Sequence, residues 1–422
     1  MGKLIELLHK IFSWENLTLR NYTAFIFVLM LIQYIPIESR FGVSWVKVLT
    51  MAITPIVLLR HFKVTKAFVC VLIYFTYLMV TSYLLHGEYF RASTIIYALM
   101  FLMLYVSFYN FVWVQRVFTL ESFINLVGKF LLVLTGFLIA QQICILIGLK
   151  YFPPVNLCQV LNRGIGANSL SFEPSSLART MAVLYYAYLK CNEYRTGHRI
   201  GLSEIFSQEY RKVTIAFLWS MLTMGSGTAF ICLGVLSLYF MRGMQLLITL
   251  PVFLGIYAML SFCEVEQFKR IQGVVSATSS GDAQEVKETD NSAAYRIKPW
   301  LNTINLDFSD PDNWVGKGCD AALRGGMYSD TRYIGQITDY GIISYILSLV
   351  IVFTCAIDFF SIPCLMFFIG IGGGTDNISY GWGLLLVFTC VKYFHYNAKY
   401  GEYFSNDRKF SSRKKETEAA GA

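Results

Sequence analysis

The stretch RGIGANSLSFEPSSLART, residues 163–180, sets Arg163, Glu173 and Arg179 at the mouth of an apolar segment in a chain that otherwise avoids charge. The guanidinium fork of arginine matches phosphate oxygens two at a time and stays ionised when partly desolvated. A carboxylate beside it can accept a proton from a hydroxyl nucleophile. Glu173 also precedes Pro174 and Ser175-Ser176, a pattern that opens a helix with proline in its first turn and an acid favoured by the dipole. The residue types leave both roles of Glu173, helix cap and proton acceptor, open. Further along, Arg296, Arg324, Arg332, Asp320, Asp330 and Asp339 form a second set of arginines and acids, of which Arg324 and Arg332 fit solvated loop charges equally well.

Other chemistries find little footing. His9, His61, His198 and His395 fall in or beside segments expected on the cytoplasmic side, which leaves His86 as the outer histidine. An outer site therefore lacks a histidine base unless His86 folds into it. None of the ten cysteines forms a CxxC pair, and most lie in apolar segments as small hydrophobes, so no metal site is expected. Cys158 and Cys319 stand in outer loops, where a disulfide between them is conceivable. Gly-rich phosphate loops, HExxH and GxSxG are absent from the sequence.

The elements that must position these residues are membrane helices. With 55% hydrophobic and 15% charged residues among 422, the chain reads as a polytopic membrane protein, all-α because its apolar runs are continuous rather than alternating. Spans are expected at 22–37, 41–59, 67–85, 94–114, 123–148, 176–190, 213–225, 228–240, 243–262, 336–356, 363–374 and 380–394, twelve in all. Several are shorter than the roughly 17 to 25 residues of a full crossing. The pair flanking Gly225-Ser226-Gly227 reads as two half-length helices meeting at a turn.

Residues 1–21 place Leu4, Leu7, Leu8, Ile11 and Phe12 against Lys3, Glu6 and Lys10, the pattern of an amphipathic surface helix, and no signal-peptide cleavage site follows it. Lysine and arginine concentrate in alternate short loops and in the polar tail 395–422, which places both termini in the cytoplasm. Residues 149–175 then form a first outer loop, between spans within 22–262, and 263–335 form a large periplasmic loop before the last spans within 336–394. The net charge of +8 is accordingly topological, and nucleic acid is not an expected partner. Arg179 lies just inside its span, where an arginine at the bilayer centre costs about 2.5 to 3.5 kcal/mol and one near the interface costs less by snorkelling. Lys47 and Lys129 are further cations within spans, each expected to pair with an acid or to snorkel. No internal repeat is visible, which weakens a transporter built from two related halves.

Three patches carry a resemblance to a family. SFEPSSLA from Ser171 is similar to the element that opens the span after the first large outer loop in the O-antigen and capsular polysaccharide polymerases of Wzy type, relatives of the O-antigen ligases. LTMGSGTAFICLGVL from Leu222 resembles that family's short span, serine-containing turn and returning span. From Asp290 to Ile346, DNSAAYRIKPW, NWVGKGC and YIGQITDYGIISYI resemble its arginine-bearing outer helix, glycine turn and entry into the next span. Each motif is short and degenerate, so the likeness rests on their order and sidedness across most of the chain. Two departures favour polymerase over ligase: the position of the ligases' outer histidine is Asp330 here, and Ser226 is followed by Gly227 rather than arginine.

The resemblance implies a glycosyltransferase of the bacterial inner membrane that takes undecaprenyl-diphosphate-linked oligosaccharides as substrates, without metal or other cofactor. A sugar hydroxyl of one lipid-linked repeat attacks the anomeric carbon of the other, and the polyprenyl diphosphate leaves. Arg163 and Arg296 would contact the diphosphate, with Arg179 and Arg324 also on the substrate side and Glu173, then Asp330, as proton acceptor. A chain-length regulator and a flippase are the protein partners implied. Ligase-type transfer to another acceptor and transport of a lipid-linked glycan are the alternatives.

Overall fold

The computed structural model describes residues 19–35, 44–59, 62–149, 165–241, 251, 255, 291–324, 333–370 and 379–400. All of the regular structure among them is helical. In chain order the helices are α1 (Leu19–Leu31), α2 (Trp45–Leu59), α3 (Lys66–Val80), α4 (Ala92–Tyr109), α5 (Leu120–Leu146), α6 (Pro174–Thr196), α7 (Arg211–Thr223) and α8 (Gly227–Ser237). They continue with α9 (Asn291–Ile304), α10 (Pro311–Val315), α11 (Ala321–Arg324), α12 (Ile337–Cys355), α13 (Ile362–Leu365) and α14 (Ser379–Tyr400). Helices overlap the expected spans outside 243–262, of which only Pro251 and Gly255 are described, both helical, and at 363–374 the α-helix is limited to Ile362–Leu365; residues 1–18 of the surface helix expected over 1–21 lie outside the described residues.

Among the described residues, four stretches are long and apolar enough to cross a membrane: Lys66–Leu85, Ala92–Val114, Leu120–Leu146 and Ile337–Cys355. α1, α2 and α8 are apolar but shorter. α6 is long yet markedly more polar, for a reason its surroundings supply. It packs against α5, α7, α8 and α14, and nearly every residue from Pro174 to Asn192 is buried. A helix enclosed by protein need not present lipid-compatible side chains. α14, packed on α1, α4 and α6, shares this central position.

Local chemistry sets the helix ends. Thr65 and Thr119 cap α3 and α5, their hydroxyls accepting from the N–H groups of Phe68 at 3.4 Å and Ser122 at 3.2 Å. Gly197 ends α6 in the left-handed conformation, φ +79°. The buried ammonium of Lys47 on α2 donates to the carbonyl of Ile32, just past the end of α1, where helix carbonyls lack partners. Its side chain is buried and meets this backbone acceptor, while Lys129 lies exposed on α5.

Contacts between helices order the two ends of the bundle. Thr135 and Gln142 of α5 bond to Ser220 and Thr223 of α7 at 2.9 and 2.8 Å, so those helices run the same way. α8 packs along α6, and Glu193 near the end of α6 accepts from Tyr239 just past α8 at 3.0 Å, so α8 runs alongside α6 in the same direction. α7 and α8 therefore form an antiparallel hairpin whose turn, with Gly225 at φ +73°, lies at the end where α6 begins. At 13 and 11 residues they measure about 20 and 17 Å, the half-length pair expected, each short of a bilayer's roughly 30 Å. The starts of α4, α6, α12 and α14 share that end. The opposite end gathers Lys66, Trp113, Tyr194 and His395, with the Lys66 ammonium 5.3 Å from the Trp113 ring centre and Tyr194 bonded to His395 at 3.0 Å.

Candidate functional site

The stretch before α6 is a loop pushed into the bundle. Gly166 to Ser171 are buried, and Ser169 adopts φ +51°. Buried irregular backbone survives only when its polar groups find partners. Here the side chain of Gln141 on α5 supplies two, donating to the Ser169 carbonyl at 2.9 Å and accepting from its N–H at 2.6 Å. The Ser169 hydroxyl donates to the Leu134 carbonyl at 2.7 Å. Asn168 bonds to the carbonyls of Ser171 and Phe172, and Gln33 accepts from the Phe172 N–H at 2.8 Å. The N–H groups of Gln33 and Tyr34 both reach the Leu170 carbonyl at 3.0 Å.

This loop delivers Glu173 to the capping position of α6 with extended backbone, φ −145° and ψ 158°, and Pro174 follows in the first turn as expected. The carboxylate makes no capping hydrogen bond to the helix; it accepts instead from the Ser175 hydroxyl. Glu173 is exposed, so of its two readings the side-chain cap is not realised. Ser175 and Ser176 are buried beneath it. Arg179 is partly buried, with Nε shielded from solvent. Its inner guanidinium nitrogen thus sits within protein, where a snorkelling arginine would hold it out at the interface.

A second assembly at the same end is built from two glycines. Gly316, at φ +84° and ψ −176°, and Gly341, at φ +76° and ψ 176°, occupy backbone conformations open essentially to glycine alone. They lie face to face: a Cβ on Gly316 would sit 2.3 Å from the Asp339 carbonyl oxygen, and one on Gly341 would sit 2.0 Å from that of Trp314. Backbone bonds fasten the two strands of chain, Lys317 N–H to the Thr338 carbonyl at 3.1 Å and Gly318 N–H to that of Asp339 at 3.0 Å. The Asp339 carboxylate accepts from the Ala322 N–H at 2.8 Å, and Tyr77 on α3 donates to the Tyr340 carbonyl at 3.0 Å. The acid and glycine of DYG thus lock the segment from Trp314 to Ala322 onto the entrance of α12.

Around this lock the charged residues take specific partners. Asp320 accepts from Arg91 at 2.6 Å and from the Thr94 hydroxyl at 3.2 Å, joining the loop to the start of α4. Arg324 lies over the Tyr89 ring, 3.6 Å from its centre, and donates to the Lys317 carbonyl at 2.7 Å. Those contacts occupy one face and one nitrogen of the guanidinium. His86 does fold into this junction: a Cβ on Gly318 would lie 2.9 Å from its Cβ, and its Nε2 is buried with no hydrogen-bond partner among the described residues. The Arg91 side chain is 62% exposed, so the D320N substitution is expected to cost less than about 1 kcal/mol and to shift the melting temperature little. A thermal melt of the detergent-solubilised protein checks this.

Of the candidates read from sequence, Glu173, Arg179 and Arg324 are placed at one end of the bundle, on two separate supports. Arg163, Asp330 and Arg332 lie outside the described residues, as does Cys158. Arg296 is on α9, with its side chain outside the description. α9 itself is seated on the bundle: Thr303 accepts from the Ile334 N–H at 3.0 Å, and Trp300 stands 6.3 Å from Phe368 in an edge-on aromatic contact. Cys319 is buried, its sulfur accepting from the Tyr340 hydroxyl at 3.5 Å. Among the described residues no group of three His, Cys, Asp or Glu is gathered to hold a metal ion.

Sequence reasoning passed over Gln33, Gln141 and Asn168, which hold the buried loop, and Arg91, which holds Asp320. The pair Gln141-Gln142, polar within the apolar helix α5, was the available signal for the first group. Comparison with family models, with curated proteins and with solved structures finds no match.

Proposed function

We propose that this chain polymerises polyprenyl-diphosphate-linked oligosaccharide repeat units on the outer face of the bacterial inner membrane. The observation that carries the reading is the convergence, at one end of an apolar helical bundle, of a buried polar loop, the start of α6, the α7–α8 turn and Arg179. Helix starts and arginines are what a leaving diphosphate requires, because they stabilise developing negative charge without a metal. In the reaction, a sugar hydroxyl oxygen bonds to the anomeric carbon of the second repeat as the carbon–oxygen bond to the diphosphate breaks. The diphosphate departs with the electron pair, and the hydroxyl proton passes to Glu173 or Asp330. Arg163 and Arg296 contact the diphosphate, Arg179 supports them from within the bundle, and Arg324 serves the rim. The twelve-span layout, with both termini cytoplasmic and 263–335 as the periplasmic loop, belongs to this proposal.

Neutralising Arg163 or Arg296 to glutamine is expected to abolish chain lengthening while the protein remains inserted and abundant. Glycan length on a gel, against membrane protein by immunoblot, is the measurement; long glycan from both variants would sink the assignment. The same gel separates polymerase from transporter. A deletion strain that still displays single repeats at its surface has lost polymerisation, whereas one that displays none has lost export.

A further inference from the structure

At the end of the bundle opposite the candidate site lies a cavity of about 250 Å³ between α6, α14 and the turn after α12, and nothing in the proposed reaction uses it. It is lined by Lys190, Arg199, Lys392, Asp358 and His395 together with three tyrosines, a polar set beside apolar side chains such as Phe388. The cations differ in how they are engaged. Lys392 has three acceptors for its three protons: Asp358 at 2.9 Å and the carbonyls of Phe353 and Ile357 at 2.7 and 2.9 Å. Lys190 donates to Glu193 at 2.6 Å, and that carboxylate also accepts from Tyr239. Each lysine thus has a carboxylate of its own.

Among the described residues Arg199 has no such match. Its guanidinium lies 4.6 Å from the centre of the Tyr239 ring, which fixes its plane without neutralising its charge. Its Nε is buried with no hydrogen-bond partner among the described residues. Burying a guanidinium nitrogen without an acceptor costs free energy that an anion in the cavity recovers. Tyr194 and His395, bonded at 3.0 Å, add polar groups to the wall.

From this arrangement we propose that the cavity is a second binding site, for a phosphate ester of about one negative charge held by Arg199. The volume falls below the roughly 300 to 1,000 Å³ of pockets for drug-sized ligands, so it suits a small headgroup rather than a nucleotide. Phosphodiesters carry the single charge that Arg199 leaves uncompensated. The ligand chemistry has two sources, an anionic lipid headgroup or a soluble phosphate ester. This site is independent of the polymerase reading, which concerns the other end of the molecule.

The test uses the full chain in nanodiscs. In phosphatidylcholine discs, calorimetric titration with glycerophosphoglycerol, a soluble phosphodiester, reads the soluble source; in mixed phosphatidylglycerol discs, native mass spectrometry of retained lipid reads the lipid source. Saturable binding in one arm is expected, weakened tenfold or more in R199Q and largely kept in R199K. Modification of wild-type Arg199 by phenylglyoxal, mapped by mass spectrometry, is expected to slow in the presence of the ligand and needs no variant. No saturable binding in either arm, equal binding by R199Q, or unprotected Arg199 would each overturn the proposal.

Discussion

Replacing Gly341 with alanine is expected to destabilise the protein by at least about 3 kcal/mol and to eliminate long glycan. The backbone there, at φ +76° and ψ 176°, lies in the region that side-chain-bearing residues occupy at about 1 to 3 kcal/mol each. The added Cβ would also stand 2.0 Å from the Trp314 carbonyl oxygen, which is backbone and cannot swing aside. Relief requires parting the two chain segments, and with them the bonds from Lys317 and Gly318 that hold the 314–318 stretch against α12. Gly136, with open space where a Cβ would go, is the matched control, and G136A is expected to leave both readouts unchanged. A melting temperature for G341A equal to wild type would refute this account of the lock.

The second large effect is expected at Gln141. In Q141L the buried N–H and carbonyl of Ser169 lose both partners at once, at about 1 to 3 kcal/mol for each unsatisfied group. The loop then has reason to leave the bundle, carrying Glu173 and the start of α6 with it. Q141E keeps an acceptor for the Ser169 N–H but loses the donor, so its loss should fall between wild type and Q141L. Hydrogen exchange of the peptide covering 165–173 checks the displacement directly: faster exchange in Q141L, with intermediate rates in Q141E. Unchanged protection in both variants would mean that the loop is held by other contacts.

Much of the helical layout was legible in the sequence because hydrophobic length is a local property. The runs that became α3, α4, α5 and α12 announce themselves as windows, and Gly225-Ser226-Gly227 marks the hairpin turn without any knowledge of its neighbours. The stretch opening α6 was likewise legible as a helix start, because proline and serine act on adjacent residues.

What the sequence withheld is pairing over long separations. Nothing in GANSLS says that it is buried, since that depends on Gln141 arriving from α5 and Gln33 from just past α1. The glycines of VGKG and DYG each suggest a turn, yet their mutual contact appears only when both segments are placed. Asp320 read as a loop acid because its partner Arg91 stands on a distant connection with no shared periodicity. For the same reason Glu173 stayed divided between two roles until its hydrogen bond to Ser175 replaced the expected cap.

The central claim is polymerisation, and reconstitution tests it most directly. The purified chain is placed in liposomes with polyprenyl-diphosphate-linked repeat units as the sole substrate and no added metal. The account predicts a ladder of two or more repeats with stoichiometric release of polyprenyl diphosphate, and no ladder from R296Q. Single repeats of unchanged length, with no diphosphate released by active wild-type protein, would contradict it.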